Sequence, residues 1–399
     1  MYCSCFSCPT KECMPESEIY EDVKDYYGRV LKSTSDLKSN ACLTPATPVA
    51  PAVRRVLEEV HPEVTRRYYG CGMVVPECLE GCRVLDLGCG AGRDCYMLSQ
   101  LVGDRGLVTG IDMTEEQLDV ARKYVGYHTK KFGYKKPNTE FVQGYIEALQ
   151  EAGLKGSFYD IIISNCVVNL SPNKKHVLKE AHHVLKDGGE LYFSDIYCSH
   201  RLPAEIRTHK VLWGECLGGA LWWEDLLRLA EEVGFCTPRL VAASTVTVGN
   251  KELQSLLRDY KFVSATFRLF KIPRNVSNES CRVIYDGNVT GHEDFLKFDA
   301  YHTFRKNEVV TVDGELASIL KMSRFAEEFT FQDHAENKTG SCCVMPKVAV
   351  LKMSVCAHSS SCSVDKPKAK KTLVDTHTKK RNCRHSGFES LSHRKIPRS

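Results

Sequence analysis

An apolar run, Val84-Leu85-Asp86-Leu87, leads straight into Gly88-Cys89-Gly90-Ala91-Gly92, and a second apolar run ends on Asp112, twenty residues after Gly92. Strand, glycine turn, helix, strand and carboxylate is the order in which an open α/β sheet holds an adenosine. Glycines let the backbone approach the ligand, and the carboxylate accepts hydrogen bonds from ribose hydroxyls. A bare turn with no ligand is the alternative. The Gly-x-Gly-x-Gly spacing, with an Asp two residues before the first glycine, departs from the Gly-x-Gly-x-x-Gly of dinucleotide binders. Four thiols form a second set. Cys42 stands in a Pro-rich loop, Cys71 between Gly70 and Gly72, Cys166 after Asn165, and Cys216 in Trp213-Gly214-Glu215-Cys216-Leu217-Gly218-Gly219. A soft thiolate suits a soft electron-pair donor or a soft metal rather than an amine or hydroxyl. Taken alone, Cys166 reads equally well as a buried small hydrophobe.

The elements needed to position these residues follow a regular pattern. Strands are expected at 83–87, 107–111, 139–143, 158–164 and 190–195. Helices are expected between them at 92–102, 114–133, near 146–152 and at 172–185. Leu185-Lys186-Asp187-Gly188-Gly189 reads as a glycine turn closing the last of these helices. A helix at 203–216, an amphipathic helix at 221–234 and strands near 238–248 and 262–270 complete the set. Strands alternating with helices predict an α/β, doubly wound and mostly parallel sheet with an antiparallel edge. Upstream, 17–40 and 51–60 have helical spacing, and Arg66 to Gly72 is a glycine-bounded loop. After Pro273 the pattern changes to short strand-like runs and a helix at 313–321, which predicts a small α+β domain over 274–335. The expected division is a Cys-rich arm and helix at 1–40, the main domain at 41–273, that small domain, and a tail at 336–399.

Composition bounds the function. Of 399 residues 43% are hydrophobic, enough for a large core, and no run is long and apolar enough to span a membrane. The amino terminus lacks the basic and apolar regions of a secretory signal, which points to the cytosol. The net charge of +4 conceals an asymmetry. Residues 338–399 hold 14 of the 54 Lys/Arg and 3 of the 50 Asp/Glu, a balance of +11, which leaves −7 for the rest. An acidic body does not suit nucleic acid, and the basic, aromatic-poor tail reads as disordered. Twenty cysteines in a reducing compartment are expected to be core residues, metal or metalloid ligands or catalytic thiols, not structural disulfides. Cys3, Cys5, Cys8 and Cys13 could hold zinc, but they lack the separated Cys-x-x-Cys knuckles of such sites.

The stretch from Asp86 to Gly92 resembles motif I of class I S-adenosylmethionine-dependent methyltransferases. That resemblance places Asp86, Gly88, Gly90 and Gly92 around the methionine end of the cofactor. It places Asp112 on the ribose, Met113 over the adenine, and Ile146 and Glu147 beside the adenine. Asn165 then stands beside the transferred methyl, although an acid such as Glu147 is also common in a first helical turn. The thiol-bearing segments go further. Asp22-Val23-Lys24-Asp25-Tyr26-Tyr27-Gly28, Arg67 to Gly72, Ser164-Asn165-Cys166-Val167-Val168-Asn169-Leu170, Arg207 to Gly219 and Phe262 to Phe270 together resemble the arsenite methyltransferases of the animal type, over roughly three quarters of the chain.

In that family the thiols matching Cys71, Cys166 and Cys216 hold trivalent arsenic, and the one matching Cys42 joins the disulfide chemistry of the cycle. The resemblance implies S-adenosylmethionine as donor, arsenite and methylated trivalent arsenicals as acceptors, and glutathione or thioredoxin as reductant. A monomer is expected. The Cys-bearing amino-terminal arm and the long basic tail depart from the family pattern. Two rivals remain at this level: methylation of carbon on a quinone- or sterol-like molecule, and a non-catalytic thiol protein that sequesters metalloids.

Overall fold

The computed structural model describes residues 15–31, 36, 51–70, 73–274 and 279–332. The expectations for the amino-terminal arm, Cys42, Cys71 and the tail lie outside these residues. Strands β1 (Arg83–Leu87), β2 (Leu107–Asp112), β3 (Thr139–Gln143), β4 (Tyr159–Asn165), β5 (Leu185–Cys198), β6 (Leu221–Trp222), β7 (Arg239–Val246) and β8 (Phe262–Phe270) form one sheet. Its order is β3-β2-β1-β4-β5-β8-β7, with β6 paired to β5. The pairs from β3 to β5 are parallel, and β8 runs antiparallel to both β5 and β7. Strands β1, β4 and β8 are buried on both faces, so they read as mostly apolar rather than as an apolar–polar alternation. The parallel order puts the carboxyl ends of β1, β2 and β4 side by side, which is where Asp86, Asp112 and Asn165 come together.

Helices α1 (Glu16–Asp25), α2 (Pro51–Glu58), α3 (Pro62–Thr65) and α4 (Arg93–Val102) precede a pair where one helix was expected at 114–133. The pair is α5 (Glu115–Lys123) and α6 (Val125–Lys131), broken at Tyr124, whose ring stacks on His61 at 3.8 Å and whose hydroxyl bonds Glu63. No helix forms near 146–152. There Gln150 gives its backbone N–H and its side-chain amide to Glu180 at 2.9 and 2.7 Å, so a side chain from α7 (Lys174–Val184) replaces the helical partner. The helix expected at 203–216 is two short ones, α8 (Ala204–Arg207) and α9 (Lys210–Gly214), the second capped by His209. Then come α10 (Trp223–Val233) and α11 (Lys251–Leu257), the latter unanticipated and capped by Asn250. The Gly188 turn does not close α7, which ends at Val184; it lies within β5, where the register against β4 shifts. Helix α1 stops at Asp25 and continues as a π-turn over Tyr26–Val30, well short of residue 40.

The last described segment has two small antiparallel sheets: β10 (Phe295–Lys297) with β11 (Thr303–Arg305), and β12 (Val309–Val312) and β13 (Phe329–Gln332) flanking β9 (Cys281–Tyr285). Helix α12 (Gly314–Met322) is capped by Asp313, which accepts from Leu316 N at 2.8 Å. A buried ion network joins this segment to the main sheet. Fully buried Arg268 meets Glu190 at 2.5 Å and the Phe298 carbonyl at 2.6 Å, and Arg324 meets Glu190 at 2.6 Å.

His128, on α6, is 1% exposed and stacks on Tyr96 at 3.6 Å. Its Nε2 accepts the His61 N–H at 3.1 Å and its Nδ1 donates to the Tyr124 carbonyl at 2.9 Å, a neutral ring with both nitrogens in use. Burial lowers its pKa to about 4. Because the unfolded chain binds the proton more readily, stability is full above the ordinary histidine pKa and is lost as pH falls toward 4. The expected loss is roughly 3 kcal/mol. Urea midpoints measured between pH 7 and pH 4 check this, and His128→Gln should flatten that limb.

Candidate active site

The glycine turn is built by backbone conformations that side chains resist. Gly88 has φ +69°, and a Cβ there would lie 2.5 Å from the Val167 side chain. The segment after Cys166 therefore packs directly on this turn. Gly88 N and Cys89 N both donate to the Ile111 carbonyl at 2.8 and 3.0 Å, and Gly90 N donates to Asp112 Oδ2 at 2.9 Å. Asp112 Oδ1 accepts from Thr114 N at 2.8 Å, so one carboxylate fixes both the turn and the start of α5. Gly92 caps α4 at φ +83°, and the room a Cβ would need is taken by Phe141 and Ala121.

Above this turn opens a cavity of about 960 Å³, its mouth included. Asp86, Gly88, Gly90, Asp112, Met113, Ile146, Glu147, Asn165 and Cys166 all line it. Gly92 is the one expected cofactor residue that does not; it shapes the turn from behind. Several lining residues were not anticipated. Tyr20, Val23 and Tyr27 come from α1 and its π-turn and roof the cavity, and Gln117 Nε2 holds the Tyr27 carbonyl at 2.8 Å. The amphipathic spacing of that segment was legible, but nothing in it says which end of the sheet it covers. Tyr68, in the loop before β1, also lines the cavity and accepts a 2.6 Å hydrogen bond from Asn165 Nδ2. Arg93 lies against its ring and pairs with Asp94 at 2.6 Å.

Four carboxylates stand in a largely apolar lining, Asp86, Asp94, Asp112 and Glu147, against one cationic side chain, Arg67. Burial pushes Asp86 well above the usual carboxylate range, with Asp94 adding to the effect and the Cys95 thiol, 3.3 Å away, opposing it. Burial also raises Asp112, against the Thr114 and Gly90 N–H groups that favour its charge. A cationic ligand relieves such a site, because it restores the charged form that desolvation penalises. The donor set thus fits a molecule with a ribose and a positively charged sulfonium end.

Cys166 directly follows β4 and lines the cavity; Cys216, fully buried after α9, does not line it. Both residues have positive φ, +58° and +62°. For residues with a Cβ this costs on the order of 1–2 kcal/mol each and marks backbone held by its surroundings. Cys166 N donates to the Ser194 carbonyl at 2.8 Å, and Cys216 Sγ donates to the Cys166 carbonyl at 3.0 Å. The sulfurs of Cys166 and Cys216 and a carboxylate oxygen of Asp195 lie within 4.8 Å of one another. Asp195 was missed by sequence reasoning. It accepts the Asn169 and Ile196 N–H groups at 2.9 Å each, and burial raises its pKa to about 7. Cys166 is in a disulfide.

The same amino-terminal π-turn that roofs the cavity grips the Cys216 loop. Tyr26 donates to Glu215 Oε1 at 2.5 Å and Tyr27 to the Gly214 carbonyl at 2.7 Å. Glu215 is thus a buried loop anchor, not a surface charge. Tyr26→Phe removes one donor to that carboxylate and should cost about 1–3 kcal/mol of stability. It should lower turnover more than cofactor affinity, which steady-state kinetics beside a binding isotherm would show. His182 packs against Phe235 and does not line the cavity. Trp213 bonds the Leu170 carbonyl at 3.1 Å and does not line the cavity.

A seven-strand order with β8 reversed, a glycine turn after β1 and a carboxylate ending β2 define a class I S-adenosylmethionine-dependent methyltransferase. Residues 79–234 match a family described as Methyltransferase domain, and 278–382 match one described as Arsenite methyltransferase C-terminal domain. The chain is 58% identical over 314 residues to the arsenite methyltransferase of Mus musculus, covering 79% of this chain and 84% of that one. It is 56% identical over 329 residues to that of Homo sapiens, covering 82% and 88%. A solved arsenic(III) S-adenosylmethionine methyltransferase from Chlamydomonas reinhardtii is 44% identical with a TM-score of 0.69, covering 72% of this chain and 97% of that one. The chain belongs to the arsenite methyltransferase family.

Proposed function

We propose that this protein transfers methyl groups from S-adenosylmethionine to trivalent arsenic bound by Cys71, Cys166 and Cys216, first arsenite and then the monomethylated product. The observation that carries the reading is the convergence of two buried, conformationally strained cysteines where β4 meets a carboxylate-lined cofactor cavity. When bound, the cofactor supplies a methyl group on a positively charged sulfur. Asp86, Gly88 and Gly90 would receive its methionine end, Asp112 its ribose, and Met113, Ile146 and Glu147 its adenine.

Three protein sulfurs around As(III) leave its lone pair exposed. The left-handed turn at Cys166 keeps the bound arsenic at the cavity edge beside Asn165. That lone pair would be aimed at the methyl carbon, and the bound cofactor would supply the methyl group while its sulfur kept the carbon–sulfur electron pair, so that arsenic would become formally pentavalent. No proton leaves arsenic, so no general base is required. Holding the partners in line can supply up to ~7–11 kcal/mol. Return to As(III) takes two electrons, drawn from two protein thiols that close a disulfide; the one at Cys166 fits such a state, with Cys42 as the further thiol of the cycle. Glutathione or thioredoxin would reopen it by exchange. Among the described cysteines only Cys166 is in a disulfide, which suits a reducing compartment, and we place the protein in the cytosol as a monomer.

The test is product analysis. Protein, arsenite, cofactor, glutathione and a thioredoxin system are incubated, and arsenic species are separated with elemental detection. Methylated arsenic over many turnovers supports the reading. Tight arsenic binding without methylated product would replace it with sequestration.

A further inference from the structure

A second pair of thiols, Cys89 and Cys95, lies at the glycine turn after β1, one lining the cavity and the other buried behind it. Cys89 sits between Gly88 and Gly90 in the turn and lines the cavity. Cys95 lies on the first turns of α4, fully buried, and gives its thiol proton to Asp86 Oδ2 at 3.3 Å. The two sulfurs converge on one point. A Cβ on Gly110 of β2 would stand 2.7 Å from Cys89 Sγ and 2.8 Å from Cys95 Sγ, so the missing side chain there makes the slot the sulfurs share. Both are thiols rather than disulfide sulfurs, and each touches the other electrostatically. The methyl-transfer chemistry uses neither.

We propose that Cys89 and Cys95 form a two-sulfur site for monosubstituted trivalent arsenicals, and that filling it blocks cofactor binding. Such an arsenical carries one carbon and two exchangeable hydroxyls. Two As–O and two S–H bonds break, two As–S bonds form, and two waters leave; nothing is oxidised or reduced. Burial keeps both groups as thiols, Cys89 being pushed up to about 11, so each brings the proton its leaving water needs. Two sulfurs suit a monosubstituted arsenical and leave a hydroxyl on inorganic arsenite. Arsenic there would sit within the glycine turn that receives the methionine end of the cofactor, and it would take from Asp86 its Cys95 donor. That the cellular ligand is the monomethylated product rests on the proposed function; the site itself does not.

The probe is phenylarsine oxide, applied to the reduced full chain, to Cys89→Ser and to Cys95→Ser. Equilibrium dialysis with labelled S-adenosylmethionine, with and without one equivalent of probe, should show at least a tenfold loss of affinity in the unaltered protein. Each serine variant, compared with itself, should change less than twofold. Trypsin cuts at Arg93, between the two cysteines, and at Arg83 and Arg105 on either side, so an arsenic bridge joins peptides 84–93 and 94–105 and adds the phenylarsenic mass. That joined species is expected. Its absence, a bridge lacking arsenic, or an equal affinity loss in the variants would overturn the proposal. If a serine variant fails to fold, the bridged peptides of the unaltered chain still decide. Neither readout uses turnover, so a chain unable to methylate arsenite would leave this test intact.

Discussion

Cys216→Ser is expected to abolish methylation of arsenite and of monomethylated trivalent arsenic, with kcat/KM falling at least 1,000-fold, about 4 kcal/mol of lost transition-state stabilisation. Serine is nearly the same shape and inherits the same left-handed backbone, so the fold should persist. What is lost is a soft ligand for arsenic, which a hydroxyl does not replace. Both substrates need this sulfur, because two sulfurs are the minimum for the monomethylated one. Cofactor affinity is the internal control. Cys216 does not line the cofactor cavity, so affinity should stay within about threefold. Cys71→Ser should behave alike, whereas Cys166→Ser and Cys42→Ser should spare the monomethylated substrate more than arsenite. Arsenite turnover of Cys216→Ser near that of the unaltered protein would sink the thiol site.

Asp112→Ala should weaken S-adenosylmethionine binding by at least about 100-fold, measured by titration calorimetry. Hydrogen bonds to a charged acceptor contribute about 1.5–3 kcal/mol each, and in the proposed binding mode two ribose hydroxyls would face this one. The carboxylate also holds Gly90 N and Thr114 N, so its removal frees the glycine turn as well as emptying the ribose site. Asp112→Asn keeps the acceptor oxygen for one N–H and should fall between. Binding of Asp112→Ala within threefold of the unaltered protein would mean that the ribose is held elsewhere. A near-ultraviolet circular dichroism spectrum separates lost binding from lost folding.

The strands of the sheet were legible because a parallel strand buried on both faces is a short, mostly apolar run, and Val84–Leu87, Leu107–Ile111 and Tyr159–Ser164 are such runs. Helix lengths were less so. Periodicity continues through Tyr124 and through 146–152, but the ring stack on His61 and the Glu180 contacts to Gln150 end the helical hydrogen bonding there. Such partners are distant in sequence and leave no local trace.

Residue type alone determined the chemistry on offer. A glycine turn, a carboxylate twenty residues on and thiols in glycine- and proline-bounded loops are local facts, because φ > 0, hydrogen-bond acceptance and sulfur softness belong to single residues. Only the tertiary structure decided what meets what. It brought Asp195 within 4.8 Å of two sulfurs fifty residues apart, and turned Gly92 away from the cavity. It laid Tyr20, Val23 and Tyr27 over the cavity while Tyr26 gripped Glu215, and paired Cys89 with Cys95 over Gly110. Those contacts arise from strand order and from which side chains are missing where two segments cross, and neither quantity is written at any one position of the chain.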